Sequence, residues 1–219
     1  MPKLKKKDRR KFLRYYNYKG LANRYDILDR VFDIKTGDIV IDGGSYQGDM
    51  SVYFSKRVGE NGKVYSFEAL PNNIPYLREG LKQLECNNVR VFNSALWDAD
   101  RTLSLYLSDY PNCCSPIREF RKVRNEHIEV QGNTLDWIVT KHGIPKVDFV
   151  WTNIEGSEVR ALKGMKKTLE EYNTQLLIST HLITDEGYRN TDEVIEILTR
   201  YGYTTTPLEE RPTWIYAKK

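Results

Sequence analysis

Cysteine is scarce in this chain. Only three occur, Cys86 and the adjacent Cys113 and Cys114, and their spacing matches neither a zinc site nor a disulfide framework, so a reducing compartment is expected. Apolar stretches such as residues 176–178 fall far short of the roughly 20 residues that cross a bilayer. The N-terminus is basic, with no apolar segment or cleavage signal behind it, and the expectation is a soluble, cytoplasmic protein. Internal repeats, low-complexity tracts and any stretch that would serve as a linker between two domains are also missing, which excludes repeat architectures and full disorder.

What is present suits one α/β domain of ordinary size. The 219 residues include 15 tyrosines, 7 phenylalanines and 4 tryptophans, enough to bury a core without disulfides or a structural metal. Charge is unevenly placed. Residues 1–14 hold eight Lys or Arg against Asp8, a net +7, and the remaining residues carry 26 basic and 29 acidic groups, a net −3. The arm is either a solvated tail or a contact for phosphate or an anionic surface, and the body is mildly acidic.

Hydrophobic periodicity predicts one or two short helices within residues 8–33, then alternating elements. Strands are expected at 38–42, 62–68 and 89–93, with helices at 47–57 and 74–84 between them. An exposed strand or hairpin arm at 101–108 leads into a long loop at 109–126. A second regular half follows: helix 134–142, strand 147–153, helix 157–172, strand 175–181, helix 191–201 and final strands near 203–206 and 214–217. Helices between buried strands imply a mainly parallel sheet covered on both faces, with an antiparallel element at its C-terminal end.

The segment VIDGGSYQGD (residues 40–49) carries most chemical information, because an apolar strand ends at Asp42 and passes through Gly44 and Gly48 directly into a helix. Such a turn brings backbone and helix N–H groups close to a small anionic group. Glu68, in YSFEALPNN, closes the second strand 26 residues after Asp42, where an acid accepts hydrogen bonds from ribose hydroxyls. The fit to a dinucleotide fingerprint is imperfect, since the loop reads GGSYQG and places Tyr46 in the approach. S-adenosylmethionine, which has a ribose and adenine but no pyrophosphate, demands less. Asp42 then meets its ammonium end or merely caps the turn. After the third strand, Ser94, Ala95 and Trp97 stand where adenine is contacted and covered, with simple packing as the alternative for Trp97.

In the order VIDGGSYQGD, YSFEALPNN, NSALWD, TLDWI, VDFVWTNIEGSEVRALKGM and QLLISTH, the sequence resembles the FkbM family of S-adenosylmethionine-dependent methyltransferases over about residues 36–217. The resemblance implies a Rossmann-like class I methyltransferase domain over 36–219, with a seven-stranded sheet. Residues 1–35 form a basic arm and helical cap outside it. It implies S-adenosylmethionine as cofactor, Asp42, Gly44, Tyr46, Gly48 and Glu68 around it, and O-methylation of a sugar or small polar metabolite. Trp151 stands where the family usually has lysine, Asn153 where it has aspartate, Tyr46 where asparagine is common, and Ser179 where glutamate is frequent.

Methyl transfer to oxygen usually needs a base. His181 is the first choice, because an ordinary imidazole is largely neutral at pH 7; the alternative is a histidine fixed to the end of its strand. Glu155 at a helix start is expected to orient the acceptor, or else belongs to a capping turn with Ser157 as the cap. Asn153 donates and accepts hydrogen bonds and can position a hydroxyl. No metal site is expected. Two other readings share the sequence features: an inactive protein that binds an adenosyl ligand, and a nucleic-acid methyltransferase that uses the basic arm.

Overall fold

A computed structural model describes residues 33–110 and 112–219. The basic arm and most of the helical cap expected over 1–35 lie outside the described residues. The central sheet begins with β1 (Ile39–Gly43), every residue of which is buried, as a strand covered on both faces must be. Helix α1 (Asp49–Val58) and β2 (Lys63–Phe67) follow, then a 3-10 turn at Pro71–Asn73, α2 (Ile74–Gln83) and β3 (Val89–Phe92). A small sheet comprises β4 (Ala95–Leu96), β5 (Arg101–Tyr106) and β6 (His127–Asn133). The second half contains α3 (Leu135–Lys141), β7 (Phe149–Thr152), α4 (Glu158–Lys163), α5 (Lys166–Glu171), β8 (Gln175–Ser179), α6 (Thr191–Arg200), β9 (Thr204–Leu208) and β10 (Arg211–Lys218).

The seven-stranded sheet runs β3-β2-β1-β7-β8-β10-β9. All its strand pairs are parallel except those of β10, which is antiparallel to β8 and β9. The antiparallel element expected near the C-terminus is therefore an inserted strand. The order reverses beside β1, and the carboxyl ends of the strands at such a reversal are the usual ligand position in sheets of this kind.

Alternation along β1 divides the core. Ile39 and Ile41 join Leu135, Ile138, Leu162 and Val194 on the face covered by α3 to α6. Val40 joins Met50, Tyr53 and Phe54 of α1 on the other face, with Phe149 and Trp151 of β7.

Two sequence expectations are corrected. The helix expected over 157–172 is two short helices, separated where Gly164 meets the small sheet: a Cβ there would lie 2.0 Å from the Trp97 carbonyl oxygen. The segment before α3, to which the sequence pattern gives no structure, contains strand β6. Ile128, Val130 and Gly132 alternate with exposed His127, Glu129 and Gln131, an apolar face of only two side chains and so a short signal.

Candidate active site

The glycine turn is held by its neighbours on both sides. Gly44 N and Ser45 N both donate to the Phe67 carbonyl at the end of β2, at 3.0 and 2.9 Å. Gly44 has φ +82°, and a Cβ there would stand 2.2 Å from the Asn153 carbonyl oxygen. Gly48 has φ +97°, and its Cβ would meet Leu77 of α2 at 2.4 Å. Both glycines are thus required by the protein's own close approaches as well as by their left-handed backbone. Tyr46 also has positive φ, 48°.

Glu68 ties this turn to β2. Its Oε2 accepts from Tyr46 N at 2.8 Å, and its Oε1 accepts from Leu70 N at 2.9 Å and Asn73 Nδ2 at 3.0 Å. Burial raises the carboxyl above its ordinary pKa, and these three donors oppose the rise. About one of the roughly four lone-pair directions of the carboxylate remains for a ligand hydroxyl.

Asp42 faces α1 and has no solvent exposure. Ser51 Oγ donates to its Oδ2 at 2.5 Å and lies 2.8 Å from Ser66 Oγ, while its Oδ1 is buried with no partner. Burial pushes its pKa up to about 7 against hydrogen bonding from Ser51 and Ser45, and Asp49 and Glu68 add to the rise. The register neighbour of Asp42 on β7 is Trp151, whose ring packs edge-on to Trp214 at 4.9 Å.

Beyond β3, Ser94 Oγ donates to Asn133 Oδ1 at 2.8 Å. Ala95 and Trp97 are buried with Leu70, Leu103 and Leu105 beneath the small sheet, and the Arg160 guanidinium lies 5.7 Å from the Trp97 ring centroid.

The predicted catalytic residues come together at the ends of β7 and β8. Asn153 N donates to Gly43 O at 3.0 Å, which places it beside the glycine turn. Glu155 is 7% exposed and has φ +51°, a conformation that costs a non-glycine residue and is a frequent mark of functional sites. One of its oxygens lies 3.6 Å from His181 Nε2 and the other 3.5 Å from Lys122 Nζ. On its far side, His181 Nδ1 stands 2.9 Å from Glu158 Oε1, an ion-pair distance although off the line of a hydrogen bond. Asn190 closes the cluster: its Oδ1 accepts from His181 N at 2.8 Å, and its Nδ2 donates to Glu158 Oε2 at 2.7 Å.

This arrangement corrects the protonation state expected for His181. Burial alone would lower its pKa, but Glu158 and Glu155 outweigh it and raise it to about 10. At pH 7 His181 is an imidazolium and not a neutral base. Burial conversely would raise Glu158, but His181 carries it below the ordinary carboxylate range. The capping turn also differs from expectation. Ser157 makes no side-chain cap bond, and Glu158 reaches back to accept from Ile154 N at 3.1 Å.

Lys122, Phe120 and Asn190 carry no sequence signal that would place them here. Lys122 and Phe120 come from the long loop, with the Phe120 ring edge-on to His181 at 5.9 Å. Cys113 in the same loop lies 3.8 Å from Lys122 Nζ, and burial keeps its thiol pKa high, which disfavours a thiolate nucleophile.

Strand order, glycine turn and strand-end acid define a class I methyltransferase fold. A profile of the methyltransferase FkbM domain matches residues 42–205, and the chain belongs to that family. Among solved structures it is similar to methyltransferase FkbM from Methylobacillus flagellatus KT, at 17% identity and TM-score 0.60 over 86% of this chain and 45% of that one. It therefore spans less than half of that protein's length. It is also similar to a putative rRNA-methylase from Clostridium thermocellum, at 15% identity and TM-score 0.54 over 90% and 92% of the two chains. Fibrillarin from Aeropyrum pernix with natively bound S-adenosyl-L-methionine matches at 14% identity and TM-score 0.51 over 85% and 68%. No curated protein matches the chain. Among the described residues no helix is long and apolar enough to cross a membrane.

Proposed function

We propose that this protein is an S-adenosylmethionine-dependent methyltransferase that methylates a hydroxyl on a sugar or another small polar acceptor. The observation that carries this reading is Glu155, held in a strained backbone conformation between two cations at the end of β7, beside the glycine turn.

The cofactor would be held by residues 44–48, by Glu68 at its ribose and by Ser94, Ala95 and Trp97 around its adenine. The free lone pair of Glu68 and the unpartnered Asp42 Oδ1 suit a polar, positively charged guest. Bound there, S-adenosylmethionine supplies an electrophilic methyl group on a sulfonium.

The remaining work falls to the chain. Glu155 accepts a hydrogen bond from the acceptor hydroxyl and receives its proton. His181 and Lys122 fix the Glu155 carboxylate from either side, while Asn153 orients the acceptor. The loop bearing Phe120 and Lys122 excludes water. His181 is thus a positioning cation, itself held by Glu158 and Asn190.

Transfer of labelled methyl to a panel of hydroxyl compounds, alongside calorimetry with S-adenosylmethionine and S-adenosylhomocysteine, tests this. Glu155→Gln is expected to lower transfer by about 10²–10⁴-fold with cofactor affinity unchanged. Equal rates for the variant and the parent would remove Glu155 from the chemistry. Cofactor binding without transfer to any hydroxyl would favour an inactive adenosyl-binding protein instead.

A further inference from the structure

Asp42 is the one carboxylate of the glycine-turn region with full burial, a buried oxygen that has no partner, and no ion pair among the described residues. The elements around it supply no compensating charge. On β7 its register neighbour is the indole of Trp151, and on β2 it is Ser66. Helix α1 presents Ser51, and the turn contributes Ser45, whose hydroxyl donates to the Asp42 backbone carbonyl at 2.9 Å. The charged groups acting on it are Asp49 and Glu68, both acidic. A carboxylate so placed pays for burial with neither a cation nor a full set of donors.

We propose that Asp42 is held as the neutral acid when the site is free, and that a positively charged ligand at the glycine turn drives its proton into solvent. In the acid form Oδ2–H donates to Ser51 Oγ, which donates onward to Ser66 Oγ across 2.8 Å, so the hydroxyl chain is satisfied in one direction. The ligand's positive charge then replaces the proton as the balancing charge. The second half rests on the functional reading above, because the cation is the sulfonium of S-adenosylmethionine; S-adenosylhomocysteine, whose thioether is neutral, is the control.

Two measurements test the halves separately. In the ligand-free protein, infrared difference spectra against Asp42→Asn will show the protonated carboxyl band of one buried acid, lost as the pH rises through about 7. A carboxyl already ionised at about pH 5 overturns the first half. Calorimetry at about pH 6.5 in buffers of different ionisation enthalpy will show more proton release with S-adenosylmethionine than with S-adenosylhomocysteine. The preference for the sulfonium will grow by about tenfold between about pH 5.5 and pH 8.5 for each unit by which the ligand lowers the acid. Asp42→Asn, which keeps the side-chain shape, will abolish both effects. Trp151→Lys, which sets a cation beside the acid, will do the same if it folds. Binding with equal proton release for the two ligands overturns the linkage alone. Failure of either ligand to bind at any pH overturns the linkage and the methyltransferase reading together, and leaves the infrared result to decide the free acid.

Discussion

At the residue scale, two buried ionisable groups pull stability in opposite directions with pH. The folded pKa of His181, about 10, stands above its ordinary 6.5. Its stabilising contribution is therefore complete below about pH 6.5 and disappears as the pH rises through about 10. Glu158 is held below its ordinary 4.5, so its share is lost when the pH falls beneath that range. Urea midpoints are expected to show this pair intact across neutral pH. His181→Ala, which leaves Glu158 buried and uncompensated, will cost roughly 3–5 kcal/mol there. Asp42 behaves differently, because its folded pKa of about 7 exceeds the ordinary 3.8. It burdens the folded state progressively as the pH climbs from about 4 to about 7, by roughly 4 kcal/mol at the top of that range. Asp42→Asn will therefore stabilise the protein at pH 8 relative to the parent and give little benefit at pH 4. The sequence carried the identities of Asp42, Glu155 and His181 but not the charge state of His181. That state is set by Glu158 and Glu155, which reach the two ring nitrogens only after the turn into α4 is packed against the end of β8.

At the element scale, local pattern located the regular strands and helices because their apolar spacing is strong. The five consecutive buried residues of β1 and the hydrophobic face of α6 are examples. It failed where tertiary contact decides. The break between α4 and α5 falls where Gly164 approaches the Trp97 carbonyl and where Asp136 of α3 accepts from Lys167 N and Thr168 N at the start of α5, contacts distant in the chain and invisible to a local window. Gly164→Ala will force that contact apart, at a cost of about 1–3 kcal/mol, seen as a lower denaturant midpoint with an unchanged slope. Gly44→Ala will be at least as damaging, because the added atom meets a backbone carbonyl and the residue must also keep φ +82°. Lys122 was unreadable for a related reason: the loop from 109 to 126 has no periodicity, and only its folded course brings one of its several cations to Glu155.

At the scale of the whole molecule, a ligand that binds only the folded state at one hundred times its dissociation constant adds about 2.7 kcal/mol. For a chain of this size that corresponds to a rise in Tm of about 5–10 °C. Scanning calorimetry with S-adenosylmethionine is expected to show a shift of this order, and no shift at saturating concentration would contradict the cofactor assignment. The rim of the sheet is also tied in series from β2 through β1 and β7 to β8. The turn after β1 leans on β7 through Gly44 and on β2 through Glu68, and β7 is joined to β8 through Glu158, His181 and Asn190. A series without a loose joint lets occupants at either end feel one another. Whatever factor an adenosyl compound adds to the grip on an acceptor, the acceptor must return to the adenosyl compound in equal measure.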